Sequence, residues 1–196
     1  MKRKIKWILL ILVLVVLIIW LVNSRPRFSP EIDSRLDDFM SVSMKKYDSP
    51  GMILGVWIPG KGSFVRSKGL ADVKEKIGMN PHYRYRIGSL TKTFTATIIL
   101  QLIDEGKLNL DDKLSKFYSN IPNAGNITIE QLLNMTSGLH SYTEIESIQE
   151  KIFSNRFVQL NPEELIMAGV MHKPDFPPGK GYHYSNTNYV ILGRII

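Results

Sequence analysis

The sequence predicts a mixed α/β chain of the α+β kind, with an antiparallel hairpin set among helices. Three observations carry that prediction. Two strand-like runs, MILGVWI (52–58) and SFVRSKG (63–69), are joined by PGKG and read as a β-hairpin. Apolar residues recur at helical spacing, with start and stop signals, in several other segments. A basic, apolar leader over residues 1–27 stands apart from a well-mixed body over residues 28–196, which is long enough for one domain with a sizeable core.

The leader explains the charge. The chain carries a formal +7, but Lys2, Arg3, Lys4, Lys6, Arg25 and Arg27 all lie in residues 1–27, which hold no acid. Without those six, 19 basic residues face 18 acidic ones. That near-neutral body excludes a nucleic-acid-binding balance. Trp7 to Val22 is an unbroken apolar run of sixteen residues. As a helix it measures about 24 Å at roughly 1.5 Å per residue, and with flanking residues it nearly crosses a hydrocarbon core of about 30 Å. Residues 5–22 therefore read as a single-pass anchor, with a cytoplasmic N-terminus and an extracytoplasmic body. A cleaved signal peptide, leaving a secreted protein, is the rival reading; the region after the run lacks an A-x-A site. The absence of cysteine excludes disulfides, thiol nucleophiles and a lipid-bearing cysteine.

The body can be read in order. Ser29-Pro30-Glu31 looks like N-cap, N1 and N2 of a helix near 30–46, with Ile32, Leu36, Phe39, Met40 and Tyr47 at helical spacing. SPG at 49–51 stops it. The hairpin follows, and ADVKEKIGMNPHYRY reads as a polar connection. A helix is expected from about Ser89 to Glu105, stopped by Gly106. LNLDDKLSKFYSNIPN reads as a loop with one short helix. ITIEQLLNMTSGL opens with a capping box, Thr128 to Gln131, and a staple pair, Ile127 with Leu132; Gly138 is expected to end that helix. Asn161-Pro162-Glu163-Glu164 starts another helix. After the loop PDFPPGKGYHYSNTN, a last helix is expected from near Thr187.

The segment RIGSLTKTFTATIIL holds a serine three residues before a lysine, Ser89 and Lys92. S-x-x-K alone is weak, because both residues are common. Ser43 and Lys46 share the spacing and read as a solvated helix end beside SPG. Ser89 has a different context: it follows a glycine, begins a helix, and shares one face with Lys92, Ala96 and Ile99. The chemistry favours that arrangement. A serine hydroxyl needs a base within hydrogen-bond reach to become a nucleophile. Residues i and i+3 of a helix are neighbours. A lysine in a desolvated pocket accepts a proton more readily. The helix N-terminus favours negative charge developing at the serine, and the Ser89 N–H can form half of an oxyanion hole. Downstream, Tyr184-x-Asn186 sets a phenol and an amide two residues apart. A phenolate beside a lysine can act as general base. Tyr118-Ser119-Asn120 repeats the pattern and shows how little it means alone. Thr136-Ser137-Gly138 reads as a helix stop.

Together, RIGSLTKTFTATIILQLIDEGKLNLDD, ITIEQLLNMTSGL and FPPGKGYHYSNTNYVILG resemble, in order and spacing, the serine β-lactamase-related family of class C β-lactamases and D-alanyl-D-alanine carboxypeptidase-like hydrolases. The resemblance runs from about Pro50 to Ile196. The family places its tyrosine motif far after the serine. Tyr184 lies 95 residues beyond Ser89 and fits; Tyr118 lies 29 beyond it and does not. The resemblance implies a β-lactamase/transpeptidase-like fold, a helical region with an antiparallel sheet. It implies Ser89 as acylated nucleophile, Lys92 as its proton shuttle, Tyr184 as general base with Lys92, and Asn186 as binder of the substrate's acyl amide. It implies no metal and no cofactor. The implied substrate is a D-alanyl peptide, a β-lactam or an ester.

The family's third motif, Lys or His, then Thr or Ser, then Gly, lies on a late strand and has no convincing counterpart here. Ser67-Lys68-Gly69 has the wrong order, and His140 and His172 lack a following Thr-Gly. The expected reading is therefore the front of such an enzyme, without the C-terminal strands that pair with the hairpin, and with activity impaired accordingly. A second reading is a non-catalytic envelope fragment or binding remnant.

Overall fold

The computed structural model describes Leu14 and residues 27–155 and 157–196. The anchor expected over residues 5–22 thus lies, Leu14 apart, outside the described residues. Among the described residues no helix is long and apolar enough to cross a membrane. The chain divides into two compact units, one ending at Tyr85 and one running from Arg86 to Ile196.

The first unit begins with α1 (Pro30–Lys46). Ser29 caps it, its Oγ accepting from the Ile32 N–H at 3.4 Å, with Pro30 in the first turn. β1 (Gly51–Ile58) and β2 (Gly62–Asp72) form the expected antiparallel hairpin, with Met52 opposite Lys68 and Val56 opposite Phe64. The polar connection is not all loop: β3 (Ile77–Gly78) pairs with Leu70 and Asp72 across a register shift, giving a sheet of order β1-β2-β3. Its turn is held by Asp72 Oδ1, which accepts from the Glu75 N–H at 2.9 Å, and by Lys76 at φ 53°. Such local side-chain chemistry builds a turn without any hydrophobic pattern. The core here is small: Phe28, Met40 and Phe64 are buried, with Leu36, Met52, Leu54 and Val56 against them. Ser43 is also buried, so the Ser43–Lys46 pair is not the solvated face expected; its serine packs inward while Lys46 lies exposed over the Tyr47 ring.

The second unit is helical. The 3₁₀ turn Gly88–Leu90 leads into α2 (Thr91–Asp104), so the regular helix starts two residues later than expected. It stops at Gly106 as expected: the Gly106 N–H donates to the Ile103 carbonyl and the Lys107 N–H to the Leu102 carbonyl, both at 2.9 Å. α3 (Ile129–Leu133) opens with the full capping box between Thr128 and Gln131. It ends at Leu133, five residues before Gly138. Met135, at φ 65°, breaks it first, and Gly138 serves the loop beyond. α4 (Glu146–Ser154) was not expected from the sequence; α5 (Pro162–Met171) begins at the Asn161 cap as expected.

α6 (Asn186–Ile195) is the centre of this unit and starts one residue before Thr187. It packs on α2, α3 and α5, burying Ile191 and Leu192 completely with Ile99, Leu132 and Ile166. Each such side chain contributes about 1.5–3 kcal/mol when removed from water. Gly169 of α5 permits the close α5–α6 approach, since a Cβ there would lie 2.2 Å from Thr187 Oγ1. The buried polar residues of α6 are satisfied. Asn188 Nδ2 donates to the Leu132 carbonyl and its Oδ1 accepts from Ser137 Oγ at 2.8 Å. Ser137 is thus a structural strut in the loop beyond α3, not part of the helix stop expected for Thr136-Ser137-Gly138.

Candidate active site

Gly88 sits at φ 54°, the left-handed region that glycine enters at little cost. Nothing lies within 4 Å of a Cβ placed there, so the requirement is conformational and not steric. This bend presents Ser89 on the exposed first turn before α2. Lys92 follows in the first turn of α2 and is half-buried. Its Nζ lies 3.4 Å from Ser89 Oγ and donates to Asn186 Oδ1 at 2.6 Å. The same ammonium lies 4.8 Å from the centre of the Tyr184 ring and 5.6 Å from that of Tyr189. The four residues singled out in the sequence, Ser89, Lys92, Tyr184 and Asn186, therefore meet around one cation.

The three motif blocks meet because α6 is buried. Asn186 is its first residue, so packing of Ile191 and Leu192 fixes where the amide sits. Its orientation is fixed by hydrogen bonds. Lysine only donates, so Asn186 turns its oxygen toward Lys92, and its Nδ2 donates to Thr143 Oγ1 at 2.8 Å. The Asn186 backbone N–H donates to Ser141 Oγ at 3.1 Å, and Ser141 and Thr143 share a hydrogen bond at 2.9 Å. Tyr142 is tied in through its N–H, which donates to Thr187 Oγ1 at 3.0 Å. Ser141, Tyr142 and Thr143 were not found by sequence reasoning. They follow the TSGLH stretch in a turn without periodicity, and only their position across from α6 marks them.

Three tyrosines belong to the site, Tyr184 and Tyr189 beside the lysine and Tyr142 in the cleft lining, and their acidities separate them. Burial pushes the Tyr184 phenol up, but hydrogen bonds with Lys92 and Ser89 and the Lys92 charge outweigh it, leaving Tyr184 below the ordinary 10. Tyr142 and Tyr189 both move up, by burial first and then by the nearness of Tyr184. Of the three, Tyr184 is the one whose surroundings favour the phenolate. Tyr118, the repeat of the motif, lies elsewhere: its hydroxyl donates to Glu163 Oε1 at 3.2 Å, and burial raises it.

A cleft of about 430 Å³ opens over this group, lined by Gly88, Ser89, Lys92, Tyr142, Thr143 and Asn186 among others. An exposed hydroxyl, a lysine in contact with it and a phenol inclined to ionise are the kinds of group that acyl transfer draws on, brought together in one cleft.

Comparison with known proteins agrees with this geometry. The family model described as Beta-lactamase matches residues 36–196. The protein flp of Staphylococcus aureus (strain NCTC 8325 / PS 47) is 35% identical over 176 residues, covering 87% of this chain and 34% of its own length. A D-stereospecific amidohydrolase from Streptomyces sp. superposes with a TM-score of 0.65 at 36% identity, over 74% of this chain and 43% of that one. The D-amino acid amidase of Ochrobactrum anthropi SV3, solved with L-phenylalanine, gives 0.68 at 27% identity, over 78% and 41%. The chain thus spans about a third of the length of the curated relative and under half of each solved structure. The helices, the three-stranded antiparallel sheet and the match over residues 36–196 establish that this chain belongs to the β-lactamase family of serine hydrolase-like proteins and carries part of the β-lactamase/transpeptidase-like fold.

Proposed function

We propose that this chain carries the acylation centre of a membrane-anchored, extracytoplasmic serine hydrolase that acts on D-configured amide, peptide or β-lactam substrates. The observation that carries the reading is the placing of Lys92 Nζ between Ser89 Oγ at 3.4 Å and Asn186 Oδ1 at 2.6 Å, beside the Tyr184 ring. The leader over residues 5–22 supports anchoring, and the neighbouring D-stereospecific amidohydrolase and D-amino acid amidase support the substrate class.

In the proposed reaction the Ser89 oxygen attacks the substrate carbonyl while its proton passes to the Tyr184 phenolate, with Lys92 holding that phenolate and the serine in line. The tetrahedral oxyanion is stabilised in part by the Ser89 N–H at the head of α2. Collapse breaks the C–N bond, Tyr184 returns the proton to the departing nitrogen, and an ester on Ser89 remains. Water activated by the same phenolate then releases the acid. Asn186 has two Nδ2 hydrogens and Thr143 takes one, so the other is free to bind the acyl amide of the substrate.

The test is covalent labelling of the purified chain with a fluorescent penicillin and a fluorophosphonate, beside Ser89→Ala and Ser43→Ala. Labelling that Ser89→Ala abolishes and Ser43→Ala preserves supports the assignment. Labelling that persists in Ser89→Ala overturns it. Failure of both probes favours a non-catalytic, binding role. Protease accessibility of the body in intact cells against lysed ones tests the topology.

A further inference from the structure

The residue before Tyr184 is a histidine with partners of its own. His183 Nε2 bonds Glu144 Oε1 at 2.9 Å and lies 3.8 Å from Asp175 Oδ2. Glu144 closes the turn Tyr142–Glu144, whose other residues, Tyr142 and Thr143, line the cleft. Asp175 is shared: its Oδ1 meets His140 Nδ1 at 2.8 Å, and the His140 ring stacks on His172 with centroids 4.8 Å apart. The His140 carbonyl in turn accepts from Thr187 Oγ1 at 2.7 Å, on α6. The turn and the chain around Tyr184 are joined at Thr143–Asn186 and Tyr142–Thr187 and, on the other side of Tyr184, at Glu144–His183.

We propose that His183 is a positioning residue for Tyr184, its ring clamping the segment that carries Tyr184 and Asn186 against the turn that carries Tyr142 and Thr143. The backbone ties of this segment leave the clamp something to do on the N-terminal side of Tyr184: the Asn186 N–H donates to Ser141 Oγ at 3.1 Å, the His183 N–H donates to the Met135 carbonyl at 3.1 Å, and the Ser185 N–H donates to the soft acceptor Met135 Sδ at 3.4 Å. The phenol's own partners are Lys92 and Ser89, the groups it must serve. Small displacements of a base cost rate steeply, so a tether one residue away has leverage.

The clamp has a pH sign. The Glu144 hydrogen bond raises His183 above the ordinary histidine value; partial burial opposes this, and the charges of Glu144 and Asp175 add to the rise. The groups facing the ring are Glu144 from the turn and Asp175 from the loop before it, with His140 and His172 behind Asp175. A group whose value is raised on folding contributes its full stabilisation below its unfolded value and loses it as pH climbs through the folded one. The clamp is thus tight when His183 is charged and loosens to a neutral hydrogen bond above that point, while the Tyr184 phenolate is favoured by rising pH.

This inference rests on the acyl-transfer reading, and the experiment separates the two. In the full chain, purified in detergent, imidazole and tyrosine NMR resonances are followed with pH. His183 is expected to titrate above free histidine, to fall back in Glu144→Gln, and to carry a shift of the Tyr184 ring with it. The rate of penicillin labelling is measured in parallel. His183→Ala is expected to label about tenfold more slowly at every pH. His183→Gln keeps a donor without charge, so wild type should lead it by about threefold to fivefold below the His183 value and match it above. A Tyr184 ring indifferent to His183 titration overturns the clamp, whether or not the chain labels. So does His183→Ala labelling at the wild-type rate. Failure of wild type to label with either the penicillin or the fluorophosphonate overturns the nucleophile reading alone, since the NMR coupling still decides the clamp.

Discussion

The hairpin unit and the helical unit are held in different ways. Among the described residues the hairpin unit buries three large apolar side chains, Phe28, Met40 and Phe64, and leaves Trp57 69% exposed. The helical unit buries thirteen apolar residues in one cluster, centred on α6. A small core opens easily, and a dense one resists. Every residue of the candidate site lies in the helical unit. The difference teaches where precision comes from: Ser89 and Asn186 are 97 positions apart, and a buried helix holds them within one lysine's reach.

The sharpest way to separate chemistry from packing is Tyr184→Phe. It removes the hydroxyl that Lys92 and Ser89 contact and leaves the core intact, so labelling should slow by about 10²–10⁴-fold with an unchanged melting temperature. In the wild type, Tyr184 lies below 10, so the labelling rate should rise with pH to a midpoint below 10. A midpoint at or above 10 would remove Tyr184 as the base.

Leu192→Ala attacks the other side of the comparison. It opens a cavity in the centre of the helical core and should cost about 2–5 kcal/mol in urea unfolding. Hydrogen exchange should quicken in α2, α3 and α6 and leave β1 and β2 unchanged. Uniform quickening in both units would mean that they unfold as one.

Thr128→Ala deletes one half of the capping box and should cost about 0.5–2 kcal/mol, read by the same unfolding curve. The smallest effect is expected in the hairpin unit. Lys68 Nζ meets Asp37 Oδ2 at 2.6 Å, tying β2 to α1, but both side chains are partly in water. Lys68→Met should therefore cost only about 0.2–1 kcal/mol, and less in high salt. A larger loss would show that the small core leans on this pair.

Much was legible where the signal is local. The caps at Ser29, Thr128 and Asn161, the stop at Gly106 and the hairpin all follow from residues within a few positions of one another. Legibility failed where local signals compete or are silent. α3 stops at Leu133 because Met135 turns left-handed before Gly138 is reached, and β3 forms on a turn with no apolar pattern. Ser43 misled because spacing does not reveal which face of α1 is covered.

For the candidate site, the sequence by itself singled out four residues, Ser89, Lys92, Tyr184 and Asn186, through three ordered blocks that resemble a known family; the spacing of that resemblance set Tyr118 aside. Residue type supplied a hydroxyl, an ammonium, a phenol and an amide, and their chemistry is written in the sequence. Only the tertiary structure decided the arrangement. It turned the Asn186 oxygen to Lys92 by giving its nitrogen to Thr143, and it made Tyr184 the tyrosine of three that moves toward ionisation. It also set His183 against Glu144. These are matters of which charge and which hydrogen bond a group meets across the fold. No spacing along the chain encodes them, because the partners are brought together only when α6 is buried.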